Sequence, residues 1–113
     1  MSKREPLLLL EDIIESIQKI KKYTTGLSKV DFLHDDKTVD AVIRNFEIIG
    51  EAANRIPDEI RERFQLVNWH RIKGFRNRIV HDYMGIDYEI VWEIIEKDLD
   101  DLKKQIQGIR DSI

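Results

Sequence analysis

No cysteine occurs in the chain, which excludes disulfide bridges and thiolate metal sites. A reducing compartment such as the cytoplasm suits such a chain. Long apolar runs are missing as well. Leu7 to Leu10 follow Lys3 and Arg4, as the apolar stretch of a signal peptide would, but Glu11 and Asp12 end the run after four residues. That is too short for an export segment or a membrane span, so a cytoplasmic protein outside the membrane is expected. A glycine-rich phosphate loop, a serine elbow and a His-Glu-x-x-His zinc pattern are all lacking. So are strand-like alternation, internal repeats and low-complexity segments.

What is present is charge and apolar surface in similar measure. Of 113 residues, 36% are charged and 42% hydrophobic, which fits amphipathic helices in one modest domain covering residues 1–113. The net charge of −3 argues against a general nucleic-acid coat protein. Its distribution says more. Residues 63–81 carry Arg63, Arg71, Lys73, Arg76 and Arg78 and no acid, a charge of +5, while the rest of the chain carries −8. A basic island on an acidic body attracts a polyanion locally; taken alone, such a run is also what a solvated helix face looks like.

Periodicity predicts an all-α fold, an up-and-down bundle of four main helices and a short one. Leu10, Ile13, Ile14, Ile17 and Ile20 form the apolar stripe of a first helix, from about Pro6 to Tyr23, ended near Gly26. Residues 27–36 read as a polar connection with Phe32 and Leu33 tucked beneath it. His34, Asp35 and Asp36 are potential metal ligands, but three adjacent loop residues rarely face one ion. They read instead as a helix N-terminal cap, and no metal site is expected. A second helix runs from about Thr38 to Ile56, thinned at Gly50, Ala52 and Ala53 so that a partner helix can approach. Glu51 lies in that thin segment, either as a surface acid or as a carboxylate that orients an arginine. Pro57 starts a short helix to about Phe64, and Asn68 caps the next, predicted to reach Tyr83. The last helix should be one long helix from about Tyr88 to Gln107, with Tyr88, Val91, Trp92, Ile95, Leu99, Leu102, Ile106 and Ile109 as its apolar stripe and Asp98, Asp100 and Asp101 solvated. Trp92 reads as core rather than as a stacking platform.

The helix from Trp69 to Tyr83 holds the chemistry. Asn77 and His81, four apart, share a helix face. Arg76 and His81, five apart, stand about 140° apart on an ideal helix. They converge if the arginine bends round, if the helix frays, or if a second copy lies alongside. Gly74 fits the third arrangement, because close approach of another backbone is one reason to tolerate a mid-helix glycine. An imidazole exchanges protons near neutral pH, and a guanidinium grips phosphate oxygens. His70 reads as a surface or dimer-contact histidine.

The Arg76-Asn77-x-x-x-His81-x-Tyr83 pattern resembles the signature of the HEPN superfamily, and its His-x-Tyr extension resembles the HepT-like branch. Gly50-Glu51-Ala52, Trp69 and Val91-Trp92 agree with that branch, and the similarity covers roughly residues 7–107. The resemblance implies the toxin of a type VII HEPN/MNT toxin–antitoxin pair. It implies a homodimeric, metal-independent, cofactor-free endoribonuclease with Arg76 and His81 as catalytic residues at the subunit interface and Asn77 and Glu51 in support. Arg71, Lys73 and Arg78 would bind RNA. Tyr83 would accept adenylate groups from a nucleotidyltransferase antitoxin of the MNT type. The alternatives are a HEPN domain that binds nucleotide or RNA without cleaving it, and a helical interaction domain.

Overall fold

A computed structural model describes residues 4–75 and 87–113; the side chain of Arg4 is outside the description. Seven helices are seen among the described residues: α1 (Arg4–Thr24), α2 (Lys29–Leu33), α3 (Asp36–Arg55), α4 (Asp58–Arg63), α5 (Trp69–Lys73), α6 (Tyr88–Lys97) and α7 (Leu99–Ser112). The architecture is all-α, as the periodicity requires.

The stripe of α1 is the spine. Leu10, Ile13, Ile17 and Ile20 are fully buried, and α1 packs along α3 for most of its length and along α7 on another side. The facing stripe of α3 is Val39, Val42, Phe46, Ile49 and Ala53, all buried. Spacings of three and four place each set on one helix face, so the two long helices share a core. Gly26, at φ +82°, supplies the left-handed residue just beyond the end of α1.

Local capping chemistry sets the next elements. The connection expected at 27–36 contains α2, a single turn fixed by a reciprocal capping box: the Asp31 N–H donates to Ser28 Oγ at 3.1 Å, and the Ser28 N–H to Asp31 Oδ2 at 3.2 Å. The turn buries Phe32 completely, 5.2 Å from Trp92 between ring centroids. Trp92 is therefore core, as predicted. Of the three residues expected at this cap, Asp35 is the N-cap of α3 and Asp36 its first residue, while His34 caps the C-terminal end of α2. The Thr38 N–H and hydroxyl both donate to the Asp35 carboxylate, at 3.1 and 2.7 Å, and hold its pKa below the usual aspartate value. The His34 ring nitrogen Nδ1 lies 2.8 Å from the Val30 carbonyl.

Three expectations about the last helix are corrected. It is divided at Asp98 into α6 and α7. The backbone hydrogen bonds continue across the joint, from Asp98 N–H to Ile94 O at 2.9 Å and from Leu102 N–H to Asp98 O at 3.1 Å. Tyr88 is exposed rather than inward, because it opens the first turn of α6, beyond the edge of the core. Of the three aspartates expected to face solvent, Asp100 and Asp101 are exposed while Asp98 is half-buried; Asp100 pairs with Lys21 of α1, which lowers its pKa, and Asp98 pairs with Arg71 of α5.

Candidate active site

The helix expected from Trp69 to Tyr83 is seen as α5, which ends at Lys73 with Gly74 as its C-terminal cap, so Gly74 is not a mid-helix residue; α5 is built from its apolar side outward. Asn68 caps α5 as predicted, its Oδ1 accepting the Arg71 N–H at 2.9 Å. Trp69, Ile72 and Phe75 point into the core, and the Trp69 indole N–H donates to the Phe64 carbonyl at 3.2 Å. Phe75 meets Phe46 of α3 edge-to-face, with centroids 5.8 Å apart and rings at 86°. This is the favoured arrangement for two aromatic quadrupoles. The residue before Arg76 in the chain is thus fixed to the central helix pair.

Gly50 has a neighbour within the chain, whereas Gly74 meets only the carbonyls of its own preceding turn. A Cβ on Gly50 would lie 4.0 Å from the Ile72 carbonyl, so the thin face of α3 is where α5 crosses it. Ala52 and Ala53 are buried in the same packing. At Gly74 a Cβ would sit 3.2 Å from the His70 carbonyl, tighter than ordinary van der Waals contact. Both features had suggested a second backbone. Among the described residues the neighbours are α5 for Gly50 and the preceding turn for Gly74.

Outside that apolar side the helix is polar. His70 and Lys73 are exposed, and so is Glu51 on α3. Arg71 is engaged: its Nη2 donates to Asp98 Oδ2 at 2.6 Å, where the Asp98 side chain is only 18% exposed. This pair ties the basic helix to the α6–α7 joint. The sequence offered no signal for it, since the partners stand 27 residues apart. Next to the pair, α5 and α7 enclose an open recess of about 200 Å³. Arg76, Asn77, Arg78, His81 and Tyr83 lie outside the described residues.

A family profile described as "Ribonuclease HepT-like" matches residues 13–109. The chain belongs to the HepT-like ribonuclease family. A HepT-like relative from Methanocaldococcus jannaschii, named as a candidate RNase, is 38% identical over 107 residues, 95% of this chain and 98% of the relative. One from Thermococcus cleftensis, named as the probable ribonuclease HepT, is 37% identical over 101 residues, 89% of this chain and 92% of the relative. A solved structure of a tri-AMPylated Shewanella oneidensis HEPN toxin in complex with an MNT antitoxin superposes with a TM-score of 0.72 at 23% identity, covering 98% of this chain and 99% of that one. The fold is therefore that of a HEPN protein. The HepT-like match opens inside α1 and closes inside α7, so it spans α3 and the basic helix α5 that packs on it. Among the described residues no helix is long and apolar enough to cross a membrane.

Proposed function

We propose that this chain is the toxin of a HEPN/MNT toxin–antitoxin pair, a metal-independent endoribonuclease with Arg76 and His81 as its catalytic residues. The observation that carries the reading is the Arg-Asn-x-x-x-His-x-Tyr pattern at residues 76–83 of a chain matched by the HepT-like profile almost end to end. RNA brings its own nucleophile. The 2′-hydroxyl oxygen attacks the adjacent phosphorus, and the bond from phosphorus to the 5′ oxygen breaks. One proton leaves the 2′-hydroxyl and another reaches the departing 5′ oxygen, giving a 2′,3′-cyclic phosphate and a 5′-hydroxyl. An imidazole at neutral pH serves either transfer, and a guanidinium stabilises the charge that gathers on the phosphorane. Asn77, Glu51, Lys73 and Arg78 orient these groups or hold the RNA backbone. The test is cleavage of RNA in excess EDTA with analysis of both product ends. Activity that vanishes with EDTA, or a 5′-phosphate product, overturns the mechanism.

One imidazole cannot stand on both sides of an in-line displacement, so the reaction calls for a homodimer in which two copies of His81 face one cleft. The dimer rests on this chemistry and on the angular separation of Arg76 and His81 on an ideal helix. Light scattering at micromolar concentration should give twice the chain mass; a strict monomer removes the composite site.

Tyr83 is proposed as the acceptor of adenylate groups from a nucleotidyltransferase antitoxin. The similarity to a tri-AMPylated toxin in complex with its MNT antitoxin supports this assignment. Added phosphates close in sequence to Arg76 and Arg78 would compete for those cations and repel RNA. Tyr83→Phe should gain no adenylate mass when incubated with the antitoxin and ATP, and should stay active as a nuclease in its presence. Full silencing of Tyr83→Phe without added mass would mean steric capture instead.

A further inference from the structure

The recess between α5 and α7 carries a proposal that rests on the ribonuclease reading and sharpens it. Its floor is apolar, made by Ile72, Phe75 and Leu102, and its volume is about 200 Å³. Drug-sized ligands occupy roughly 300–1,000 Å³, so the space suits a single planar ring system. The charged residues of its wall are Arg71, Asp98 and Asp101, which leave one negative charge. A phosphate is therefore the wrong occupant, although the adjoining helix is basic.

The polar wall selects among uncharged rings. Arg71 is anchored through Nη2 to Asp98 while its side chain stays 47% exposed. A guanidinium fixed in this way offers further N–H donors and a flat face on which bases stack. The Asn68 amide has its oxygen occupied by the Arg71 N–H, which leaves its NH₂ to donate. Gln105 donates through Nε2 to the Leu66 carbonyl at 3.5 Å, which leaves its oxygen to accept. Asp101, exposed in the first turn of α7, only accepts when ionised. A ligand that satisfies this wall presents adjacent N–H donors on one edge and acceptors on another. Guanine does so, with N1–H and N2–H₂ side by side and with O6 and N7. Adenine lacks the ring N–H, and each pyrimidine has a single donor group on its pairing edge.

The geometry points to this recess as the subsite for a guanine base next to the scissile phosphate, with the Asp101 carboxylate accepting from N1–H and N2–H₂ and Asn68 and Arg71 donating to the acceptor edge. The link to the scissile phosphate rests on the proposed function: Phe75 of the floor immediately precedes in sequence Arg76, the residue proposed to hold that phosphate. On this reading Arg71 contacts a base, whereas Lys73 faces solvent where a phosphate can reach it.

The experiment measures binding of labelled uridine hexanucleotides containing one guanosine or one inosine, which lacks only the N2 amino group, to the His81→Ala full chain. Wild-type cleavage of both RNAs is followed in parallel. Guanosine should bind about tenfold or more tightly than inosine, the usual effect of one bidentate base contact. Adding Asp101→Asn should bring the ratio close to one. Removing a negative charge alone would tighten both RNAs by one factor and leave the ratio intact. Arg71→Lys should weaken both RNAs equally through the lost donor fork, since guanine and hypoxanthine share O6 and N7. If Asp101→Asn fails to match the parent melting curve, Asp101→Ser carries the same expectation. A guanosine-to-inosine ratio near one in the parent, or one that Asp101→Asn leaves unchanged, overturns the subsite. Cleavage without that discrimination leaves the ribonuclease standing and removes the subsite. Asp101-dependent guanosine binding without any wild-type cleavage upholds the subsite and removes the ribonuclease.

Discussion

His81→Ala should lower the rate of RNA cleavage by about 10²-fold or more, because positioned acid–base groups typically contribute 10²–10⁴. Arg76→Ala should lose a comparable amount, since a preorganised charge aimed at a transition state is worth roughly 10²–10³. The two variants should differ in binding. The imidazole serves proton transfer alone, so His81→Ala should hold RNA nearly as well as the parent. The guanidinium serves both steps, so Arg76→Ala should bind more weakly, with a shallower dependence on salt. Neither change should shift the melting temperature by more than a few degrees, because both residues are polar and assigned to a cleft. EDTA should leave the parent rate unaffected. Should His81→Ala cleave at the parent rate, or unfold under conditions where the parent is folded, the histidine is not the catalyst and the chain is a helical interaction domain.

The features legible in the sequence are those whose cause is local. The stripe Leu10, Ile13, Ile17 and Ile20 announces its buried face through spacing alone. Asp35 and Asn68 announce helix starts because a cap needs only a side-chain oxygen and an N–H three residues on. The short helix α2 carried the same kind of signal, Ser28 with Asp31, yet five residues are too few to show a period.

What the sequence withheld depends on partners distant in the chain. The joint at Asp98 is tied to Arg71, 27 residues away, and no periodicity in α6 or α7 marks it. The thin face at Gly50 correctly implied a close neighbour but could not say which one; the neighbour is α5 of the same chain. At the site, Arg76 and His81 are legible as residue types at a spacing. The recess between α5 and α7 is legible only in three dimensions, since Asn68 and Arg71 come from one side and Asp101 and Gln105 from the other.

Phe75→Ala should be the most damaging single change to the fold near the site. Phe75 is 2% exposed and stands against Phe46, itself 1% exposed. Truncating a buried phenylalanine costs about 3–5 kcal/mol through lost transfer energy and the cavity left behind. That is a large share of the roughly 5–15 kcal/mol that holds a domain together. Urea titration should show a lower midpoint at unchanged slope, the mark of lost stability with the same surface exposed on unfolding. Phe75→Leu, which keeps most of the apolar volume, should lose distinctly less. A second effect separates anchoring from bulk stability. In the cold, with Phe75→Ala still folded by circular dichroism, cleavage should remain reduced, because Phe75 fixes the start of the segment that carries Arg76. Misplacement of about 1 Å in a catalytic group can cost 10²-fold. A midpoint change worth less than about 1 kcal/mol, well below the usual cost of such a truncation, would show that the edge-to-face pair is not the anchor. Full cleavage by the folded variant would show that Arg76 is positioned by something other than the core beneath it.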